Sequence, residues 1–164
     1  MREGWRYCRL REKSKLPLEK DWLNKCTDDI ETVRGWILNG DNVGLVCSKS
    51  NLVVVDVDMK HGGVDAWAAM CAANGEPKTL VQTTPSGGKH YIFKAKPGKL
   101  YKGKIQAGID IRYNAYICIS PSSTKVGNYA YVNEIAEVAV YDSWLDCLIE
   151  KDLKRPSGGD APTA

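Results

Sequence analysis

Seven consecutive residues, Leu52-Val53-Val54-Val55-Asp56-Val57-Asp58, constrain this chain more than any others. The apolar run is flanked by turn residues and reads as a buried β-strand. Successive side chains on a strand point to opposite faces, so Asp56 and Asp58 share one, about 6–7 Å apart by the rise per residue. At an effective dielectric of about 20, two charges at that distance repel by roughly 2–3 kcal/mol. Folding gains nothing from such a placement. A divalent cation between the carboxylates reverses the sign, because hard cations such as Mg²⁺ take oxygen ligands from one or two carboxylates plus substrate phosphates. The pair alone leaves a plainer alternative open, two aspartates at the solvent end of a strand entering a turn.

The length of 164 residues suits one domain with a sizeable core. Apolar content of 43% and charged content of 26% are ordinary for a soluble globular protein. A formal charge of +3 says little about partners, but its distribution says more. Lys94, Lys96, Lys99, Lys102 and Lys104 surround Tyr101, a cluster that suits either a phosphate backbone or triphosphate or a solvated loop. The six cysteines form no C-x-x-C pair, which argues against a structural zinc site. With Cys71 and Cys118 inside apolar segments, a reducing, cytoplasmic setting is expected. No stretch resembles a signal peptide or is long enough to span a membrane.

Along the chain, Thr27 is expected to cap a helix with Asp28 and Asp29 in its first turn, Ile30, Val33, Trp36 and Ile37 on its apolar side, and Gly40 at its end. Val43–Cys47 reads as a short strand. A second helix spans 64–73, with Trp67, Met70 and Cys71 on one side. Thr79–Thr84 and His90–Lys94 read as strands paired around Pro85-Ser86-Gly87-Gly88. Further strands are expected at 109–112, 115–119 and 129–132, with a closing helix over 143–154. Residues 1–154 then form the folded domain and 155–164 a flexible tail or linker. Interspersed helices and hairpins predict an α+β fold with a mostly antiparallel sheet.

Asp110 is the third carboxylate of interest. In Ile109-Asp110-Ile111 the isoleucines face one side of a strand and the acid the other. Three carboxylates on short strands of one sheet suit two metal ions, which stabilise both the attacking and the leaving oxygen in phosphoryl transfer. Ser86-Gly87-Gly88-Lys89-His90 adds glycines that let backbone N–H groups approach an anion, followed by two side chains able to donate to phosphate. Alone, the same stretch is also an ordinary Gly-Gly hairpin turn. It is not a Walker A loop, since Thr83 and His90 stand where that motif needs a glycine and a hydroxyl. Neither a G-x-S-x-G elbow nor an H-E-x-x-H zinc motif is present, and His61 reads as a loop residue.

Taken in order, Val43-Gly44-Leu45, Val55-Asp56-Val57-Asp58, Ser86-Gly87-Gly88-Lys89-His90-Tyr91, Gly108-Ile109-Asp110-Ile111-Arg112 and Ser120-Pro121-Ser122 resemble the bifunctional DNA primase/polymerase N-terminal domain of the archaeo-eukaryotic primase superfamily. Gly4-Trp5 and Lys15-Leu16-Pro17 extend the likeness, which covers most of residues 4–131. The resemblance implies an RRM-like catalytic core flanked by helices, with Asp56, Asp58 and Asp110 holding Mg²⁺ or Mn²⁺. It implies that His90, Lys89 and Ser86, with Gly87 and Gly88 of the same motif, bind the triphosphate of a dNTP or NTP. Arg112 and Ser122 would line the pocket, and Lys49 would reach a phosphate. DNA template and primer are the implied partners, with a helicase or helical accessory domain in the full-length protein. Family members usually begin with a helix before the Gly-Trp pair, where Met1-Arg2-Glu3 stand here. The activity implied is template-directed nucleotide addition to a primer 3′-hydroxyl with release of pyrophosphate. From another class, a non-catalytic RRM-like module could bind single strands through the lysines and Tyr101, Tyr113 and Tyr116. A two-metal nuclease could use the same acids.

Overall fold

The strand expected from the valine run is the centre of the molecule. The structure, a computed structural model, describes residues 1–152. In chain order its first half comprises β1 (Tyr7–Leu10), α1 (Ile30–Leu38), β2 (Asn42–Val46), β3 (Leu52–Val57), α2 (Gly63–Asn74), β4 (Leu80–Thr83) and β5 (Lys89–Lys94). There follow β6 (Leu100–Tyr101), β7 (Lys104–Gln106), β8 (Ile109–Arg112), β9 (Tyr116–Cys118), β10 (Ala130–Tyr131), β11 (Ala139–Val140), α3 (Asp146–Ile149) and β12 (Glu150–Lys151).

The larger sheet runs β10-β4-β5-β3-β8-β7, with β11 continuing along β5, and a smaller one runs β1-β2-β9. All of these pairings are antiparallel except β11 with β5. The fold is therefore α+β and sheet-dominated, with helices at the flanks. None of the described helices is long and apolar enough to cross a membrane.

Alternation along β3 builds two cores at once. Leu52 and Val54 join Leu80 and Ile92 on one face, against Tyr7, Val43, Leu45 and Ile117 of the smaller sheet and Val33 of α1. Val53, Val55 and Val57 face the other way, packing with Tyr91, Phe93, Ile109 and Ile111 under Trp67 of α2, Leu145 and Ile149. Burying a side chain of this size is worth about 1.5–3 kcal/mol, so neither face of the strand is dispensable. Asp56 continues the Leu52–Val54 row past the end of the first core.

Three expectations change. The first helix begins at Ile30 rather than at Thr27. Thr27 instead exchanges backbone hydrogen bonds with Tyr7, while its hydroxyl accepts from Asp29 N–H at 3.0 Å. The closing helix over 143–154 reduces to a 3₁₀ turn (Ser143–Leu145) and the four-residue α3, followed by β12 paired with β6. Tyr141 Oη donates to Glu150 at 2.6 Å and holds that segment extended. Residues 153–164, including the expected tail 155–164, lie outside the described residues. Third, the lysine-rich stretch is largely committed within the fold. Lys96 donates to Asp146 at 3.0 Å and lies 4.4 Å over the Tyr141 ring, Lys99 is 3.5 Å from Glu150, and Lys102 donates to Cys147 O at 3.0 Å.

Candidate active site

Register gathers the polar residues. Gln82 of β4 lies directly opposite His90 of β5, His90 opposite Asp56 of β3, and Asp56 opposite Asp110 of β8. Directly opposed residues of antiparallel strands project from the same face. Four side chains from three sequence regions therefore form one row across the sheet. Through His90 and Asp56 the row borders a cavity of about 370 Å³, lined also by Asp58, Ser86 and Arg112 and by Lys15, Trp22, Tyr116 and Tyr129; Asp110 and Gln82 stand beside these two in the row but outside the lining. That volume falls within the range of small-molecule sites.

Like charges placed directly opposite destabilise a sheet, and Asp56 and Asp110 are such a pair. Arg112 answers them both. Its Nε donates to Asp56 Oδ2 and its NH2 group to Asp110 Oδ2, each at 3.3 Å. His90 Nε2 lies 3.3 Å from the other Asp56 oxygen. Burial pushes the Asp56 carboxyl up, yet the contacts with His90 and Arg112 together outweigh it and hold the group below its ordinary value. Tyr129 stacks on the His90 ring at a centroid distance of 6.2 Å. Its hydroxyl is pushed far up, chiefly by burial, with help from Cys118, Asp56 and Asp58.

Asp58 lies just past the end of β3, not within it. Its N–H donates to Gly108 O at 2.8 Å, two residues before Asp110. At this crossing the backbones of Gly63 and Gly108 touch. A Cβ on Gly108 would stand 2.6 Å from Gly63 N and 2.8 Å from Lys60 O, and one on Gly63 would collide with Gly108 O and Asp58 O. Only glycines allow that approach.

Several expected site residues lie elsewhere. Lys89 alternates to the opposite face from His90 and borders a separate cleft with Trp67, Cys71 and Glu76. The N–H groups of Gly87 and Gly88 donate to Thr84, at 3.0 Å each, so they close the turn rather than offering themselves to an anion. Ser122 is buried, its hydroxyl accepting from Val43 N–H at 2.8 Å. Lys49 is exposed on the 3₁₀ turn Ser48–Ser50, away from the cavity wall. Of the three tyrosines suited to stacking, only Tyr116 lines the cavity, in an edge-to-face pair with Trp22 at 4.9 Å; Tyr101 and Tyr113 pack on each other. Gln82, Trp22, Asn114 and Tyr129 carried no motif. Gln82 alone had a sequence signal, as a polar residue spaced in its hairpin to oppose His90.

The donor set suits a hard divalent ion: carboxylate oxygens opposed across two strands and already bridged by a cationic group. Among the described residues no three His, Cys, Asp or Glu side chains gather into a metal cage. Bound phosphate and water oxygens would have to complete the coordination.

Carboxylates, a serine and a histidine thus meet at one cavity of an antiparallel α+β sheet. The sequence model of the bifunctional DNA primase/polymerase N-terminal domain matches residues 1–144, and the chain belongs to that family. No curated protein matches it.

Proposed function

We propose that the chain is a template-directed nucleotidyltransferase that joins a dNTP or NTP to a primer 3′-hydroxyl, with pyrophosphate leaving. The observation that carries this reading is the register of His90, Asp56 and Asp110 on three adjacent strands, with His90 and Asp56 in the cavity wall. Asp56 and Asp58 on the cavity wall, with Asp110 opposite Asp56 on the next strand, would hold Mg²⁺ or Mn²⁺. Such ions supply neutralising charge along the triphosphate and a more acidic 3′-hydroxyl. The remaining work falls to the chain's own groups. His90 Nε2 and the Ser86 hydroxyl face the space a triphosphate would fill. Arg112 would turn from the carboxylates to a phosphate oxygen once the acids are otherwise engaged. Trp22 and Tyr116, packed edge to face with Lys15 on the same cavity lining, offer an aromatic ring on which a base could stack. Initiation of new primers would draw on a helical accessory domain, and a helicase would be a further partner in the full-length protein.

Primer extension on a DNA template with Mg²⁺ or Mn²⁺ tests this, with Asp56→Asn and Asp110→Asn as controls. Extension by the wild type and its loss in both variants is expected. Metal-independent binding of single-stranded DNA without extension would overturn it, in favour of a non-catalytic module.

A further inference from the structure

Gln82 is fully buried and spends its amide on three partners. Its Nε2 donates to Cys118 O at 2.8 Å, and its Oε1 accepts from Ser120 N–H at 3.2 Å. A backbone carbonyl can only accept and a backbone N–H can only donate, so these partners dictate which end of the amide is which. One N–H of the amide then remains. It points at His90 Nδ1, 2.8 Å away. An amide NH₂ group cannot accept, so Nδ1 must be the bare nitrogen. The proton of the neutral ring is left on Nε2, the nitrogen beside Asp56 Oδ1 and the cavity.

We infer that Gln82 is a positioning residue that fixes His90 in the Nε2–H tautomer, so that the ring turns a donor toward Asp56 Oδ1 and the cavity, free for a phosphate oxygen once the carboxylate is otherwise engaged. The other tautomer would aim a lone pair at an incoming phosphate oxygen and repel it. The stacked Tyr129 ring limits rotation of the imidazole, leaving the amide to select the tautomer. What the donor meets rests on the proposed function; the tautomer itself does not.

The chain has two histidines, His61 and His90, so protein with ¹⁵N-labelled histidine gives two ring systems, and a His61→Gln variant assigns them. In mildly alkaline buffer, where a histidine ring is neutral, long-range proton–nitrogen spectra distinguish a protonated ring nitrogen from a bare one. His90 is expected wholly as Nε2–H. Gln82→Met keeps the length but not the donors, and should mix the tautomers while the rest of the amide spectrum stays in place. Its affinity for dATP with Mg²⁺ should fall about tenfold, the effect of one weakened hydrogen bond to a charged group. Gln82→Glu offers an acceptor instead and should bring a proton onto Nδ1. Nδ1–H in the wild type overturns the inference, and so does a Met variant that stays wholly Nε2–H or binds dATP undiminished. If neither variant folds, the wild-type spectrum decides alone. Protein with the Nε2–H signature but no primer extension would sink the proposed function and leave this inference standing; an active polymerase with Nδ1–H His90 would do the reverse.

Discussion

The four strands β4, β5, β3 and β8 carry two opposite programmes on their two faces. On one, Val81, Tyr91, Val55 and Ile111 are in contact register and lie inside the second core. On the other, one residue along each strand, stand Gln82, His90, Asp56 and Asp110. The first face is held by area removed from water, which is non-directional and tolerant of relaxation. The second is held by a few directional contacts at 2.8–3.3 Å. At this end of the sheet the two-residue period of a strand thus sets core residues and cleft residues back to back.

That separation can be broken by substitution. The largest effect belongs to the cleft face: Asp56→Asn should lower primer extension by about a thousandfold, since a lost metal ligand forfeits several kcal/mol of transition-state stabilisation. Its melting temperature should stay within a few degrees, and a large drop would make the aspartate a folding residue. On the buried face, Ile109→Ala should cost about 2–5 kcal/mol in denaturant unfolding and spare activity wherever the protein remains folded.

Arg112→Met sharpens the contrast, because it removes a cleft contact that also relieves a strain of folding. With the arginine side chain 41% exposed, the loss should be on the order of 1 kcal/mol in a chelator. Added Mg²⁺ should raise the variant's melting temperature more than the wild type's. An equal response in both would mean that Arg112 and the ion do not share the carboxylates.

Acid gives a smaller, graded effect. Because the folded Asp56 pKa is depressed, the stability it contributes is present above the ordinary carboxylate pKa and lost as pH falls through the folded value. Melting temperature against pH should therefore be flatter at the acid end for Asp56→Asn. Least of all, thiol alkylation at neutral pH should reach the exposed Cys147 first. Cys118 borders the cavity, yet burial pushes its thiol up to about 11 and Cys47's to about 12. Rapid labelling of Cys118 would mean that the cleft wall opens.

Local pattern carried most of the fold. The valine run, the Ser86-Gly87-Gly88 turn with its flanking strands, and the isoleucines around Asp110 each read correctly because period and turn chemistry act over a few residues. Thr27 misled because a good capping residue was claimed by a distant strand partner, Tyr7. The closing helix failed for a related reason: Tyr141 and β6 hold Glu150 and Lys151 extended, and no local propensity encodes them. Within the site, the motifs marked which segments meet but not which side chains face the cavity. Lys89 and His90 are neighbours in sequence and opposite in space, while Trp22 and Asn114 reach the cavity without any motif to mark them.

The touching backbones of Gly63 and Gly108 have a consequence for variation. Asp58 and Asp110 are encoded fifty-two positions apart, and their alignment passes through two residues that contribute no reactive atom. Adding one methyl group at either would wedge the two acid-bearing arms apart. Such a lesion would register as a lost activity with every functional group still in place, so the tolerance of this site to change is set by where side chains are missing as much as by those it displays.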